Sequence, residues 1–546
     1  MLTKLWQEYT SFEKFLSFCL LGVLLLAVFA GFVRIIWGAP EEKLADDVYA
    51  EAIVSNFSMI NPLFADLGNN ANRELSRLIY AGLTQYNPAE KHFEPGLATY
   101  TINDQVNEYT FKLKKDLEWH DGKKITTEDV LFTYNEVIKH PDFTNSFLKE
   151  RFENVDVVLV DDETVKFVLP KPNAFFLADV MVGILPKHIY QNVPVSSLGT
   201  QFVPELLVGS GPFVFEEFEI DESQVAKVQL SAFKDYYLGK PKIKNFDYYV
   251  VPSDDLLLAL RNKVRAIPRF NREIEESFEP AFKVQSYRLP QYTALFLNQD
   301  TPVLKEERMR KVLNRLIDKN LLATELPTKQ VVDGPYFVIE PEIKFADRQY
   351  TPLREALFGY GWKLQGDGYR YNELGEPLKF ILLREIYADF KKQEESDKLV
   401  THFVDAAKEV GMQIDVINAD AADFAARLEN KAYDILLAGH DFGYSLDSFG
   451  FWHSSVAKPN TFNFSNYRSP TADAIMVAAR SLSDHAQRIE KLKELNALLK
   501  AESPAIFLYT QQYAFAFDNS VKNRTILGDY ATITDRFYDI QLWELR

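Results

Sequence analysis

Three short apolar segments decide the fold class: LKFILL at residues 378–383, MQIDV at 412–416 and DILLA at 434–438. Apolar residues recur with helical spacing between the first two, over residues 399–410, and a second helical stretch follows near 421–429. The order is therefore strand, helix, strand, helix, strand. That alternation predicts a parallel sheet covered by helices.

The rest of the chain extends this α/β pattern without an internal repeat. Residues 70–81 and 126–138 carry the apolar stripes of helices, Thr126 or Thr127 being the cap of the second. Residues 109–113 alternate as in a half-buried strand, and residues 155–169 form a predicted hairpin. We expect two α/β lobes that join near residues 287–297.

Composition excludes several classes of protein. The chain has 546 residues, a net charge of −17 and one cysteine, Cys19. An acidic surface repels phosphate backbones, so a generic nucleic-acid binder is excluded. A single cysteine excludes a disulfide scaffold and a thiolate metal cluster. A soluble part without cysteine is consistent with export.

The N-terminal residues predict a membrane anchor. Residues 15–37 are apolar apart from Arg34, and the charge-free run 15–33 spans about 28 Å as a helix, close to the hydrocarbon core of a bilayer. We expect residues 1–14 in the cytoplasm and a polar tether at residues 38–47. A cleaved signal peptide, with Val28-Phe29-Ala30 as its cleavage site, is the alternative.

A series of short motifs carries a family resemblance. In chain order they are NPL (61–63), IYAGL (79–83), EPGLA (94–98), YTFKLK (109–114), WHDGK (119–123), TEDV (127–130), GSGPF (209–213), YYLGKP (236–241), LFLNQDTP (295–302), NFSNY (463–467) and SPAIFLY (503–509). This order resembles the peptide-type extracellular solute-binding proteins, family 5, the receptors of oligopeptide and dipeptide ABC importers. We expect WHDG and GSGP to be scaffold turns.

The resemblance implies a two-lobed periplasmic-binding-protein (Venus-flytrap) fold of the large peptide-binding type. Lobe I would span residues 48–288 and lobe II residues 289–506, with a C-terminal return to lobe I over 507–546. The N-terminal transmembrane helix would precede these lobes.

Ligand residues are expected where the strand at 434–438 ends, because ligands of open parallel sheets bind beyond the carboxyl ends of the strands. The sequence there is GHDFGYSLDSFG, residues 439–450, followed by Phe451-Trp452-His453. The candidate ligand-binding residues in this stretch are His440, Asp441, Phe442, Tyr444 and Trp452. In the family this stretch lies in the cleft, and a carboxylate commonly pairs with the amino terminus of the peptide.

The stretch departs from the family pattern at two positions. His440 stands where the family has a tryptophan, and Gly443 stands where it has an aspartate, while Asp441 lies two residues early. Asp441 is therefore either a ligand contact or a turn acid, and His440 either a ligand contact or a hydrogen-bonded wall residue. Trp452 is either pocket wall or core.

Family position alone adds Asn61, Tyr292 and Tyr336 as ligand-binding candidates, with turn initiation as the alternative role of Asn61. The predicted function is capture of peptides in the cleft between the lobes and delivery to ABC permease subunits, by a monomer without catalytic residues, metal or cofactor. The alternatives are another solute, such as a nickel chelate or an oligosaccharide, and a peptide sensor or chaperone without transport. The binding domain would face the periplasm or the cell surface.

Overall fold

The computed structural model describes residue 10 and residues 44–65, 70–200, 202–270, 272–278, 280–339 and 345–546. The predicted anchor, residues 15–37, lies outside the described residues, as do residues 1–14 except Thr10, and residues 38–43 of the tether. Across the described ranges, no helix combines the length and the apolar character that a bilayer crossing requires.

Strands and helices alternate along the described chain. The strands are β1 (Val48–Val54), β2 (Thr84–Asn87), β3 (His92–Pro95), β4 (Ala98–Ile102), β5 (Glu108–Leu113), β6 (Asp156–Asp161), β7 (Thr164–Val168), β8 (Phe213–Ile220), β9 (Ala226–Ala232), β10 (Asn245–Val251), β11 (Ala266–Ile267), β12 (Lys283–Arg288), β13 (Gln291–Leu297), β14 (Lys329–Val331), β15 (Lys363–Leu364), β16 (Arg370–Tyr371), β17 (Lys379–Glu385), β18 (Gln413–Ala419), β19 (Ile435–Asp441), β20 (Ala505–Phe517), β21 (Val521–Lys522) and β22 (Glu544–Leu545). The α-helices are α1 (Asn70–Ile79), α2 (Thr127–Leu131), α3 (Ser146–Phe152), α4 (Phe176–Asp179), α5 (Lys187–Tyr190), α6 (Asp254–Ala259), α7 (Glu307–Asn314), α8 (Lys319–Glu325), α9 (Tyr350–Gly359), α10 (Phe390–Glu409), α11 (Ala421–Glu429), α12 (Phe449–Trp452), α13 (Pro470–Arg480) and α14 (His485–Glu502).

The predicted strand–helix alternation at residues 378–438 is confirmed. Strand β17 pairs in parallel with β18 over its whole length and with β19 at its centre. Helices α10 and α11 make the connections, and each begins at an aspartate cap, Asp389 and Asp420, whose side chain accepts backbone N–H bonds of the first turn. Leu399 and Phe403 are buried on the inner face of α10.

The two halves of the molecule share one large sheet, in the order β18-β17-β19-β13-β20-β11-β1-β10-β9-β8. Strand β20 is 13 residues long. One end of β20 pairs with β13, and the other end pairs with β12 and β11. The chain therefore crosses between the halves in β12–β13 and returns in β20.

Separate hydrophobic cores flank this crossing. One core is built from residues between Tyr49 and Leu289 together with residues between Phe515 and Trp543. Two further cores are built from residues between Tyr292 and Leu508, and Phe175 of the first half packs into one of them. The exact limits of the lobes stay a prediction.

Two motifs of the first half, WHDGK (119–123) and GSGPF (209–213), are hydrogen-bonded to each other and have a structural role. The His120 backbone N–H donates to the Gly209 carbonyl at 2.9 Å, and the Gly209 N–H donates to His120 Nδ1 at 3.2 Å. His120 Nε2 lies 3.1 Å from the Gly211 carbonyl, so the ring is held as the Nε2–H tautomer. Burial lowers the pKa of His120 to about 4. A Cβ on Gly209 would lie 1.9 Å from the Ile79 carbonyl oxygen, which explains glycine at this position.

The C-terminal segment is fastened to the first half by a buried charge cluster. Arg536 Nη2 donates to Glu51 Oε2 at 2.6 Å and also to Glu74, and all three side chains are 0% exposed. The Tyr49 hydroxyl donates to the other oxygen of Glu51 at 2.5 Å. Strand β1, helix α1 and the last part of the chain therefore meet at one point.

Candidate functional site

The carboxyl end of β19 is open on one side. Strand β13 pairs with β19 up to Asp441 on one edge, whereas β17 pairs with it only at Ile435 and Leu436. Among the described strands, none pairs with the other edge of residues 437–441. At Gly439 a Cβ would lie 2.8 Å from the Tyr292 carbonyl oxygen, so glycine permits the close approach of β13.

His440 lies on this strand, but its ring is internally bonded. Nδ1 lies 2.8 Å from the Tyr292 hydroxyl, and Nε2 lies 2.9 Å from the Phe462 carbonyl. Because a carbonyl only accepts, Nε2 carries the hydrogen and Nδ1 accepts from the tyrosine. Burial lowers the pKa of His440 to about 3, so the ring is neutral. This is the hydrogen-bonded wall role, with both ring nitrogens already used.

Three further candidates form the aromatic layer beneath His440. Trp452 and Tyr336 are fully buried and Tyr292 is 2% exposed. The Tyr336 hydroxyl donates to Ser448 Oγ at 2.6 Å, and its ring stacks on Phe442 at 5.2 Å. In this structure Trp452 and Tyr336 support the wall from behind, because close packing leaves their side chains no free surface. Their contact with ligand stays a prediction.

Asn61 takes the turn role. Its Oδ1 accepts the Leu63 N–H at 3.0 Å, and its Nδ2 donates to the Leu198 carbonyl at 3.1 Å. Both polar atoms of the side chain are therefore engaged within the first half. The neighbouring Pro62, rather than Asn61, lines a cavity.

Two cavities lie between the halves, on either side of Asp441. The first, which we call the lysine cavity, has a volume of about 520 Å³ and is lined by β13, β20, the end of β19 and residues of the first half such as Asp254. Lys329 Nζ lies 2.9 Å from Glu395 Oε2. The other charged residues at its wall are Asp254, Asp389, Lys391, Lys392 and Asp441.

The second, the arginine cavity, has a volume of about 310 Å³. Residues from Asp441 to Ser445 face it from the second half, and Arg73, Arg77 and Arg151 face it from the first. Arg151 is paired with Asp179 at 3.2 Å. The arginines are absent from the residues predicted from the sequence, although the four-residue spacing of Arg73 and Arg77 on one helix is a readable signal.

Asp441 and Tyr444 lie where the cavities meet the C-terminal segment. Asp441 Oδ1 accepts the Gly443 N–H at 2.9 Å, which is the turn role, and Asp441 also borders both cavities. The Tyr444 hydroxyl lies 2.7 Å from Thr532 Oγ1 and 2.9 Å from Thr534 Oγ1. Burial raises the pKa of Tyr444, so this hydroxyl is neutral.

Direct contacts hold the halves together around the cavities. The Ala174 N–H donates to the Arg480 carbonyl at 2.7 Å. Phe147 and Phe462 stack across the outer rim with ring centroids 5.6 Å apart, while remaining 51% and 42% exposed. Together with Tyr444, these contacts join the halves at three separate places.

Two α/β halves that share crossing strands and enclose cavities between them define a periplasmic-binding-protein fold. A profile described as bacterial extracellular solute-binding proteins, family 5, middle region, matches residues 92–462, more than half of the chain. This chain belongs to that family, as the sequence motifs indicated. The family consists of solute-binding proteins that act outside the cytoplasm.

Individual relatives agree with this assignment. The oligopeptide-binding protein AppA of Bacillus subtilis is 24% identical over 498 residues, 83% of this chain and 84% of AppA. Its structure with a nonapeptide has a TM-score of 0.67 and 22% identity, and covers 91% of this chain and 99% of the other. The dipeptide-binding protein of Escherichia coli is 22% identical over 475 residues, 79% and 83% of the two chains.

A metal-complex binder has a similar fold. NikZ from Campylobacter jejuni, solved with Ni(L-His), has a TM-score of 0.69 and 23% identity, and covers 92% of this chain and 100% of NikZ. This likeness concerns the fold alone.

Proposed function

We propose that this chain is a membrane-anchored extracytoplasmic protein that captures short peptides between its halves and delivers them to an ABC permease. The free edge of β19 at residues 437–441, which borders both cavities, is the observation that carries the proposal. An extended peptide laid along this edge would gain main-chain hydrogen bonds without regard to its sequence.

The charges around the edge suit a zwitterionic chain. The lysine cavity has acidic and basic side chains on its wall, and Asp441 stands beside the free edge. A ligand ammonium removed from water requires a partner of this kind, and a hydrogen bond to a charged group contributes about 1.5–3 kcal/mol. We assign the amino terminus of the peptide to Asp441.

Closure follows from the same geometry. Lobe I, residues 48–288 with the C-terminal return 507–546, would hinge against lobe II at the crossing strands, because these strands are the covalent connections between the halves. A peptide that touches both sides of the cavities stabilises the closed form. The anchor at residues 15–37 would keep the monomeric receptor beside its permease.

The test is calorimetry of the purified full-length chain against short peptides, with oligosaccharides and nickel–histidine as competing probes. Peptide binding with wild-type protein is the expected result. A response only to a sugar or to nickel–histidine would refute the proposal. Sedimentation of the chain with membranes, resistant to alkaline extraction, tests the anchor, and its recovery in the soluble fraction would contradict it.

Asp441 is tested by substitution. Asp441→Asn should weaken free-amine peptides about tenfold while leaving N-acetylated peptides unchanged, since only the former need a carboxylate. Asp161→Asn is a matched control, because Asp161 Oδ1 accepts the Glu163 N–H at 2.9 Å in the same kind of turn, away from both cavities. Equal affinity of wild-type protein for free and acetylated peptides would remove the role of Asp441.

The likeness to NikZ makes a nickel chelate the second candidate. In the described part of the chain, one group of acidic and histidine side chains could share a metal ion, Glu90, His92 and Glu94 in the β2–β3 hairpin, and it borders neither cavity. Glu94 is already bonded to Asn87 and Tyr538, each at 2.7 Å. His440 also has both ring nitrogens bonded, which favours peptide over a directly coordinated metal.

A further inference from the structure

Arg77 lines the arginine cavity, and in the part of the chain that the structure describes it takes part in no ion pair. Among the described residues, no carboxylate lies within ion-pair distance of Arg77, and no hydrogen bond to its side chain is formed. Placing a cation in a partly buried position without a partner costs free energy. A cation without an ion pair at a cavity wall does not contribute to the stability of the fold, and its position indicates a role in binding a ligand.

Burial lowers the pKa of Arg77, but four surrounding groups outweigh this effect and raise the pKa above its ordinary value, although none of the four forms an ion pair with the guanidinium. Three of the four that act on it are the hydroxyls of Tyr236, Tyr237 and Tyr444, whose pKa values are raised by burial, so they are neutral. The fourth is the Asp535 carboxyl. Its Oδ2 accepts the N–H groups of Ala531 and Thr532, each at 2.9 Å. Burial raises the pKa of Asp535 to about 7, so it is only half ionised at neutral pH.

The other charged residues that the structure describes at the cavity wall also leave Arg77 without an ion pair. Arg151 is matched by Asp179 at 3.2 Å. Arg73 lies one helical turn from Arg77 on the same face of α1 and donates through Nε to the Ala65 carbonyl at 3.4 Å. Asp441 is the only other acid at the described wall, and one of its oxygens already accepts the Gly443 N–H.

Gly443 leaves open space at the wall of the arginine cavity. Gly443 lines the arginine cavity with a φ of +55°, and nothing lies within 4 Å of the position that its Cβ would take. No carboxylate therefore reaches into the cavity from this residue.

We propose that the arginine cavity binds a carboxylate group of the ligand through Arg77, an inference that rests on the proposed peptide function. The carboxylate comes either from the C-terminus of the peptide or from an acidic side chain. The cavity volume of about 310 Å³ admits such a group with one residue attached. A peptide would then lie across Asp441, with its ammonium on the side of the lysine cavity.

The experiment is calorimetry on the full-length chain with alanine peptides of two to six residues, as free acids and as C-terminal amides. The free acid should bind about 10- to 100-fold more tightly than the amide, and Arg77→Gln should abolish this difference. Arg77→Lys should retain part of it. Arg308→Gln, at an exposed arginine outside both cavities, should leave it unchanged.

Two additional probes separate the sources of the carboxylate and the two proposals. An Ala-Glu-Ala amide that binds as tightly as the free acid, with the same dependence on Arg77, identifies the side chain as the source. Binding of citrate but of no peptide, lost in Arg77→Gln, upholds this inference and refutes the peptide function. Equal affinity for acid and amide overturns the inference and leaves peptide binding standing. No binding of any probe overturns both.

Stability distinguishes a ligand contact from a structural role. If Arg77 serves the ligand, Arg77→Gln should leave the melting temperature unchanged or raise it, because a cation without an ion pair is removed. A fall of several degrees, comparable to the loss of a buried ion pair, would overturn the inference.

Discussion

Removal of the Arg536 side-chain charge should unfold the first half of the molecule more easily than any exposed substitution. Arg536 lies between Glu51 and Glu74, with all three side chains 0% exposed. Its Nη1 also donates to the Ile533 carbonyl at 3.0 Å. In Arg536→Met the Glu51 and Glu74 carboxylates would stay in the core without the cation that bonds both of them, although the volume of the side chain is largely kept.

The expected loss is about 3–5 kcal/mol of unfolding free energy, the usual cost of removing one partner from a buried ion pair. Two other variants bracket the result. Arg308→Met removes an arginine whose pair with Glu306, at 2.5 Å, is 50% exposed on both sides, and should cost less than about 1 kcal/mol. Arg536→Met combined with Glu51→Gln and Glu74→Gln should recover part of the loss, because no unpaired charge remains.

Urea unfolding of the full-length protein, followed by tryptophan fluorescence and circular dichroism, measures these differences. Trp543 lies in the core beside Tyr49, with ring centroids 5.5 Å apart, and therefore reports on this region. A loss in Arg536→Met no larger than that in Arg308→Met would refute the reasoning. It would mean that the buried carboxylates are protonated or reached by water at little cost.

Three further predictions concern pH, closure and close packing. The folded-state pKa of Asp535 is raised from 3.8 to about 7, so ionisation of this carboxyl lowers the unfolding free energy as pH rises from about 4 to about 7. Over that pH range the unfolding free energy of Asp535→Asn should increase by up to about 4 kcal/mol relative to that of the wild type. Unfolding free energies of the two proteins that run parallel with pH would contradict this. Tyr444→Phe removes the hydroxyl that bridges the halves to two threonines, and calorimetry should show peptide affinity lowered about 3- to 10-fold; an unchanged Kd would mean that the bridge is absent from the bound form. Gly209→Ala sets a Cβ 1.9 Å from the Ile79 carbonyl oxygen and should cost at least about 2 kcal/mol in thermal unfolding, whereas Gly359→Ala, with nothing within 4 Å, should cost nothing; equal melting temperatures would contradict the clash.

Local patterns of apolar residues in the sequence predicted most of the helices and strands that we discuss. Leu75, Leu78 and Ile79 are buried as the helical stripe at 70–81 predicted, and Tyr109 and Phe111 are buried as the alternation predicted. These predictions succeed because the period of apolar residues depends only on which face meets the core. Pairing between distant strands leaves no such local trace. The return of the chain to the first half over residues 507–546 was expected from the family resemblance, whereas no local pattern showed that one strand of 13 residues, β20, pairs with both halves.

The predicted ligand-binding stretch, residues 439–450, lies partly at the cavities. Residues 439–445 line one or both of them, since they follow the carboxyl end of a parallel strand. Whether an aromatic ring such as Trp452 faces ligand or core depends on a rotation that the sequence does not encode locally. Arg77 was not among the predicted residues, because helix α1 was judged by its apolar residues, whereas Arg77 lines the arginine cavity.

The position of β20 has a consequence for how the chain is made. Its pairing partners β11, β12 and β13 precede it by more than 200 residues, and the Arg536–Glu51 contact spans 485 residues of sequence. A chain emerging from its N-terminus therefore holds an unfinished sheet and two unneutralised acidic side chains until the last residues arrive. Stable folding is therefore expected only once the C-terminal residues are present, and a chain truncated by a nonsense mutation before Ala505 should be degraded rather than accumulate.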